Sequence, residues 1–432
     1  MCPETPWIHW AWSIRDERQR GNQDVAKETK KYAALFQPIK IGNVQVKNRI
    51  AMAGIGMVGA THDGQISEQM TAWFTARARG GVGLIITGGT HTSPEAAEAS
   101  SFRNPRLYDR SHIYGMSEMA ETVHAFGAKM FIQISPGAGR QTNLKAPSPI
   151  PYQIPVENLP EDPVREHKKR GLVFLIRMEG DVPPVLTRDE IVYTEDMLAN
   201  AAELARMCNF DGAEFHTAHG YLGHQFLSPR SNQRDDEYGG SLENRMRFLT
   251  NALIKARKKV GRDYCIGFRI SGDEHMPGGL AHDEVKQICK KIEELGVDYV
   301  HLSDGCYEAT KYLFPSDGGV HNLEHAESLK SVLRIPVITP AVRDPDVAET
   351  AIKAGRTDMI SLGRSLIADP NWPNRVAEGK RPVKCIRCQI GCGSRIMLGL
   401  PMRCLVNPEA GFERYNPEYR LSPPFKKHWD LH

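Results

Sequence analysis

Residues 187–216 read TRDEIVYTEDMLANAAELARMCNFDGAEFH. Thr187 followed three positions later by Glu190 is a capping box, in which each side chain serves the other's backbone N–H, and it marks the start of a helix. The stretch ends on a short apolar run, Phe210–His216, of strand length. Working outward, the same alternation recurs along the chain. Strands are expected at Ile50–Ala53, Val82–Gly88, Lys129–Ser135, Phe210–His216, Cys265–Ser271, Asp298–Asp304, Pro336–Ala341 and Met359–Arg364. Helical segments separate them, among them Ser241 to about Val260, with apolar residues at helical spacing. Near-continuously apolar strands alternating with helices imply a parallel sheet covered on both faces. Eight such units over roughly 330 residues imply a closed (β/α)8 TIM barrel, with an open doubly wound sheet as the alternative.

Segments outside this rhythm set the domain organisation. Residues 1–33 form a Trp- and charge-rich extension, 34–380 the barrel, and 381–432 a short cysteine-bearing segment and tail. Pro38–Asn48 reads as a hairpin around Gly42-Asn43 that would plug the bottom of a barrel. Residues 141–186 form a Pro-rich, charged insertion, either a lid over a site or a passive surface excursion.

Composition narrows the function classes. The 432 residues are 41% hydrophobic and 25% charged, and 55 basic against 52 acidic residues give a net charge of +3. That balance gives no reason to expect nucleic acid or a membrane surface as a partner. Apolar runs such as Val82–Thr87 are far shorter than the ~18–20 residues of a membrane span. The N-terminus lacks a basic stretch followed by an apolar one, so the cytoplasm is the expected location. Of nine cysteines, four crowd into Cys385-x2-Cys388-x3-Cys392-x11-Cys404. Such a cluster reads as metal ligation rather than disulfides. No histidine falls inside it, and four thiolates with three-plus-one spacing suit an iron–sulfur cube, with zinc as the alternative.

Active sites of such barrels lie at the C-terminal ends of the strands. The fourth strand ends in His216-Thr217-Ala218-His219-Gly220-Tyr221, two imidazoles and a phenol able to polarise a carbonyl and carry a proton. Satisfied polar packing is the alternative for such a strand end. Gly54-Ile55-Gly56-Met57-Val58-Gly59 fits G-x-G-x-x-G, but the turn-like residues after it and the absence of an acid after the next strand exclude a dinucleotide fingerprint. His321 and His325, four apart, read as an exposed helix face, and Cys208, Cys265 and Cys289 as core cysteines.

The segment FDGAEFHTAHGYLGHQFLSPRSNQRDDEYGGSLENRMRF, residues 210–248, resembles the signature of the old yellow enzyme family. That resemblance implies a flavin-dependent oxidoreductase in which His216 and His219 hold a substrate carbonyl and Tyr221 delivers a proton. It further implies FMN across the barrel mouth. Gly54, Ile55, Gly56 and Gly89 would contact the ring. Gln133 would sit at its pyrimidine edge and Arg269 at the N1 end, with Ala341 to Arg343 and Gly363-Arg364 at the phosphate. The segments CIRCQIGC and CLVNPEAG resemble those that follow the barrel in the iron–sulfur branch of the family. Examples are bacterial 2,4-dienoyl-CoA reductases, bile-acid flavin reductases and trimethylamine dehydrogenase, and the likeness implies a 4Fe–4S cluster on Cys385, Cys388, Cys392 and Cys404.

Three departures qualify the resemblance. Tyr307 stands nearest the place where dienoyl-CoA reductases have a histidine after strand six. The phosphate loop Thr339-Pro340-Ala341-Val342-Arg343 lacks the usual glycine pair. Relatives with this cysteine pattern usually continue into a half that binds FAD and a nicotinamide, whereas here 28 residues follow Cys404, from 405 to 432. We therefore expect an ene-reductase acting on an unsaturated carbonyl compound, supplied by a separate electron-donor protein or NAD(P)H-oxidising subunit, and an oligomeric assembly. An amine dehydrogenase and a non-catalytic barrel subunit are the alternatives.

Overall fold

Lys129–Ser135 and Cys265–Ser271 are buried almost along their whole length, as strands enclosed on both faces must be. In the computed structural model, residues 31–419 are described, except 101, 143 and 316–318. Most of the expected N-terminal extension, and the tail from 420 onward, lie outside them.

The barrel strands are β1 (Ile50–Met52), β2 (Leu84–Ile86), β3 (Lys129–Ser135), β4 (Gly212–Thr217), β5 (Cys265–Ser271), β6 (Tyr299–Ser303), β7 (Val337–Pro340) and β8 (Met359–Leu362). Each pairs in parallel with the next. The ring closes where Ile360, Ser361 and Leu362 pair with Ile50, Ala51 and Met52. This is the (β/α)8 TIM barrel expected from the sequence. Thr90–His91 adds a short ninth strand beside the upper half of β3. Several strands are shorter than expected: Val82–Gly88 reduces to Leu84–Ile86, because residues 87–89 leave the ladder and Gly89 lines the mouth.

The main helices between the strands are α1 (Glu68–Arg79), α2 (Ile113–Ala125), α3 (Arg188–Met207), α4 (Leu242–Val260), α5 (His282–Glu294), α6 (Val320–Lys330) and α7 (Pro345–Lys353). The Thr187–Glu190 capping box forms in full at the start of α3. Ser241 caps α4, whose buried face carries Phe248, Leu249, Leu253 and Val260. Residues 53–63 contain no helix after the G-x-G-x-x-G stretch, which agrees with excluding a dinucleotide fold. Among the described residues, no helix is long and apolar enough to cross a membrane.

Two cores result. One fills the layer between sheet and helices. The other lies inside the barrel floor, where Ala51, Leu84, Phe131, Cys265, Tyr299, Ile338 and Met359 meet Ile41 and Val46. The last two come from an antiparallel hairpin, Ile39–Ile41 with Val44–Val46, that closes the bottom. Among the described residues, apolar side chains seal the floor and the large cavity opens at the C-terminal rim.

The segment after the barrel is clamped to α1. Arg77 Nη1 meets Glu413 Oε1 at 2.6 Å with both side chains buried. The guanidinium also stacks on Trp73 at 3.5 Å from the ring centre. The insertion docks on the same segment through His167 Nε2 to Ser394 Oγ at 3.2 Å and Arg387 Nε to Asp162 Oδ2 at 3.0 Å.

Candidate active site

The end of β4 brings the three residues singled out there together. Ring centres of His216 and His219 lie 5.0 Å apart, and His216 and Tyr221 also lie 5.0 Å apart. The turn is made by His219 at φ +67° and Gly220 at φ +76°, the left-handed region. Histidine is among the side chains that enter that region at modest cost. Ala218 N–H lies 3.5 Å from His216 Nδ1, which makes Nδ1 the acceptor and leaves the ring proton on Nε2. Ser303 Oγ holds His219 Nε2 at 2.6 Å.

Electrostatics keep both rings neutral. Burial, then the Arg269 charge, push His216 down to about 3. The same two causes hold His219 well below the ordinary histidine range. Burial raises the Tyr221 phenol far above its ordinary value, and the neighbouring Tyr307 raises it further. The Tyr307 ring lies 5.5 Å from that of Tyr221, so the residue after strand six reaches the same pocket. Two neutral N–H donors and one protonated phenol therefore face a common space.

Beneath them lies a polar layer that sequence reasoning passed over. Glu214 accepts from Gln133 Nε2 at 2.7 Å, Tyr299 OH at 3.0 Å and His301 Nδ1 at 2.8 Å. His301 Nε2 pairs with Ser361 Oγ at 2.9 Å. Burial alone would raise the Glu214 carboxyl, but His301, Arg269 and Gln133 bring it below the usual carboxylate range. The available signal was one acidic residue inside the strand GAEFHT, since a buried charge needs partners.

The residues expected to hold a flavin line one cavity of about 880 Å3, within the range of a cofactor-plus-substrate site. Gly54, Ile55, Gly56, Gly89, Gln133, Arg269, Ala341, Arg343, Gly363 and Arg364 all contribute, as do His216, His219, Tyr221 and Tyr307. Gly54 must be glycine because an added Cβ would lie 2.7 Å from Thr87 O. At Gly56 and Gly89 the nearest atoms to such a Cβ are 3.7 and 3.6 Å away, so the methyl would occupy space a planar ligand can use. Gln133 has its amide fixed by the Glu214 acceptor, which leaves Oε1 to accept an imide N–H. Arg269 donates to Gly54 O at 3.3 Å, while its buried Nε has no protein partner. This donor set fits a flavin. In the loop expected to hold the phosphate, Ala341 takes φ +67°, so it keeps a left-handed turn where glycine would be expected.

The insertion forms part of the cavity wall through Leu144, Tyr152 and Phe174 to Arg177, which favours the functional reading over a passive excursion. Glu308, beside Tyr307, anchors it. Arg230 grips that carboxylate with two bonds of 2.7 and 2.9 Å, Arg140 also pairs with it, and Gln153 N donates at 3.1 Å. His325 is not on an exposed face. It stacks on His282 with ring centres 4.4 Å apart.

Cys385, Cys388, Cys392 and Cys404 surround a second, small apolar cavity of about 20 Å3. Backbone N–H groups point at the sulfurs: Arg387 N lies 3.4 Å from Cys385 Sγ, Gly393 donates to Cys392, and Val406 and Asn407 donate to Cys404. Such donors suit thiolate ligands. Among the described residues no group of His, Cys, Asp or Glu is arranged around a single metal ion.

Comparisons with known proteins agree with this geometry. A profile described as the NADH:flavin oxidoreductase / NADH oxidase family matches residues 34–382. An NADH oxidase of Thermoanaerobacter brockii is 41% identical over 408 residues, covering 91% of this chain and 58% of the relative. A cinnamate reductase of Clostridium sporogenes is 34% identical, covering 90% and 59%. This chain thus spans under three-fifths of either relative's length. Among solved structures, a 2-naphthoyl-CoA reductase superposes with a TM-score of 0.78 at 28% identity, covering 92% of this chain and 60% of the other. An old yellow enzyme homologue from Zymomonas mobilis superposes with a TM-score of 0.68 at 25% identity, covering 90% and 100%. With the profile matched across the whole barrel, this chain belongs to the NADH:flavin oxidoreductase / NADH oxidase family, among the old yellow enzyme type of flavin oxidoreductases.

Proposed function

We propose that this chain is an ene-reductase using FMN and a 4Fe–4S cluster to saturate the C=C bond of an α,β-unsaturated carbonyl compound. The observation that carries this reading is the convergence of neutral His216 and His219 with protonated Tyr221 on one wall of the flavin-sized cavity. Gly54 to Gly56, Gly89, Gln133 and Arg269 would hold the ring, and Ala341, Arg343, Gly363 and Arg364 the phosphate. Cys385, Cys388, Cys392 and Cys404 would hold the cluster. When bound, FMN supplies a hydride for the β-carbon and the cluster supplies single electrons.

The protein's own part is binding and proton placement. His216 Nε2–H and a ring N–H of His219 donate to the substrate carbonyl oxygen and stabilise the negative charge that develops there. Neutral donors suit this task, because a histidinium would hand its proton to the oxygen. Tyr221 OH supplies the proton for the α-carbon, with Tyr307 orienting it. The names cinnamate reductase and 2-naphthoyl-CoA reductase favour an aryl-conjugated acid or acyl-CoA ester. Phe102, Phe174 and Phe314 in the cavity wall suit such a flat group. The cysteine site supports supply of electrons by a separate carrier protein. FMN and iron content of the purified protein, followed by anaerobic mixing of reduced protein with enoate, enoyl-CoA and steroid enone panels, tests the reading.

A further inference from the structure

Gln389 stands in the partition between the flavin cavity and the four-cysteine cavity. Five residues line both: Arg364, Ile367, Cys385, Gln389 and Cys392. The Gln389 side chain is buried, and its Nε2 has no hydrogen-bond partner among the protein atoms. A buried carboxamide N–H without an acceptor is costly, and native proteins rarely leave one unmade.

The backbone around it makes the placement deliberate. Gln389 takes φ +55°, a left-handed conformation that glycine would adopt without strain. Space is cleared for its amide by Gly393, where an added Cβ would lie 2.4 Å from Gln389 Oε1. The oxygen is thus packed against Gly393, and the nitrogen is left over at the partition. The donors already on the cysteine sulfurs are backbone groups, from Arg387, Gly393, Val406 and Asn407. Gln389 adds a side-chain donor on the side that faces the flavin cavity.

We propose that Gln389 Nε2 donates a hydrogen bond to a sulfur of the bound cluster on its flavin-facing side, and thereby raises the cluster's reduction potential. The inference rests on the reading that the four cysteines hold a 4Fe–4S cluster. A hydrogen bond to sulfur stabilises the more negative, reduced form, so it favours acceptance of an electron.

The test is an EPR-monitored redox titration of the holoprotein, wild type against Gln389→Met and Gln389→Glu. Methionine keeps the length and loses the donor, and glutamate adds a negative charge. The expected result is full iron and FMN content in Gln389→Met, with a cluster midpoint below wild type and an unchanged FMN midpoint. The cluster midpoint should be lower still in Gln389→Glu. If Gln389→Glu loses iron, Gln389→Met decides. An iron-replete Gln389→Met with the wild-type midpoint would overturn the inference alone, as would a Gln389→Met protein that cannot retain iron. A wild-type protein that binds no iron would overturn the cluster reading and this inference with it.

Discussion

His301 Nδ1 lies 2.8 Å from Glu214 Oε2, and both side chains are fully buried beneath His216 and His219. The pair fixes more than itself. Because the Glu214 carboxylate only accepts, it sets the amide of Gln133 and the tautomer of His301, and it offsets the charge of Arg269. Glu214→Gln would point an NH2 group at donors and leave the Arg269 charge without its counter-charge. We expect a loss of about 3 kcal/mol in unfolding free energy by urea titration, with weaker FMN retention.

Tyr221→Phe keeps the ring and removes the proton donor. Enone reduction should slow by roughly a hundredfold or more, while ligand-induced changes in the flavin spectrum persist. Tyr307→Phe should cost less, since it removes only the partner that orients Tyr221. Because burial keeps the Tyr221 phenol protonated and both histidines neutral, wild-type turnover should show no limb from these groups between pH 6 and about 9. Turnover unchanged in Tyr221→Phe would move the proton source to Tyr307 or solvent.

Acid should unfold this protein early. Burial holds His216 down to about 3 and His91 down to about 4, whereas both would titrate near 6.5 in the unfolded chain. The unfolded state therefore takes up more protons below about pH 6.5, and stability falls as pH drops, by about 1.4 kcal/mol per pH unit for each ring. The fall from His91 ends near its folded value and that from His216 lower still. Glu214, depressed below the carboxylate range, adds its loss once pH falls below the ordinary glutamate value, and that loss is complete at its lower folded value. Urea midpoints at pH 7.5 and 5.5 check this, and His91→Asn should flatten the slope.

Much of this was legible in the sequence, and the misses share a cause. The helix-then-strand rhythm is local, so the Thr187 capping box and the β4 strand could be read from residues within a few positions of each other. The His216 to Tyr221 turn was legible because its chemistry is contiguous. Glu214 was not, because its partners Gln133, Tyr299 and His301 come from two other strands, β3 and β6, and only barrel closure brings them into one layer. The insertion has no periodicity. Its place in the cavity wall depends on Glu308, more than 100 residues away, holding Arg140 and Gln153.

Ala341 offers a test of the phosphate end. Its left-handed backbone keeps the turn that glycine usually makes, and its methyl packs over Gly319. Ala341→Gly should leave FMN affinity unchanged and stability equal or slightly higher. Ala341→Val forces a β-branched side chain into the same conformation and should cost about 1–2 kcal/mol, read as roughly tenfold weaker FMN binding by fluorescence titration.

The most direct test is a single anaerobic measurement. Holoprotein reduced by dithionite, freed of excess reductant, is mixed in a stopped-flow cell with cinnamate, an aryl enoyl-CoA ester or a steroid enone in D2O. The expected result is flavin reoxidation by at least one of them. The saturated product should carry deuterium at the α-carbon, from Tyr221, and unlabelled hydrogen at the β-carbon if the flavin was reduced in H2O and mixed before exchange. An iron- and FMN-replete protein that no unsaturated carbonyl compound reoxidises, yet that an amine reduces, would contradict the assignment.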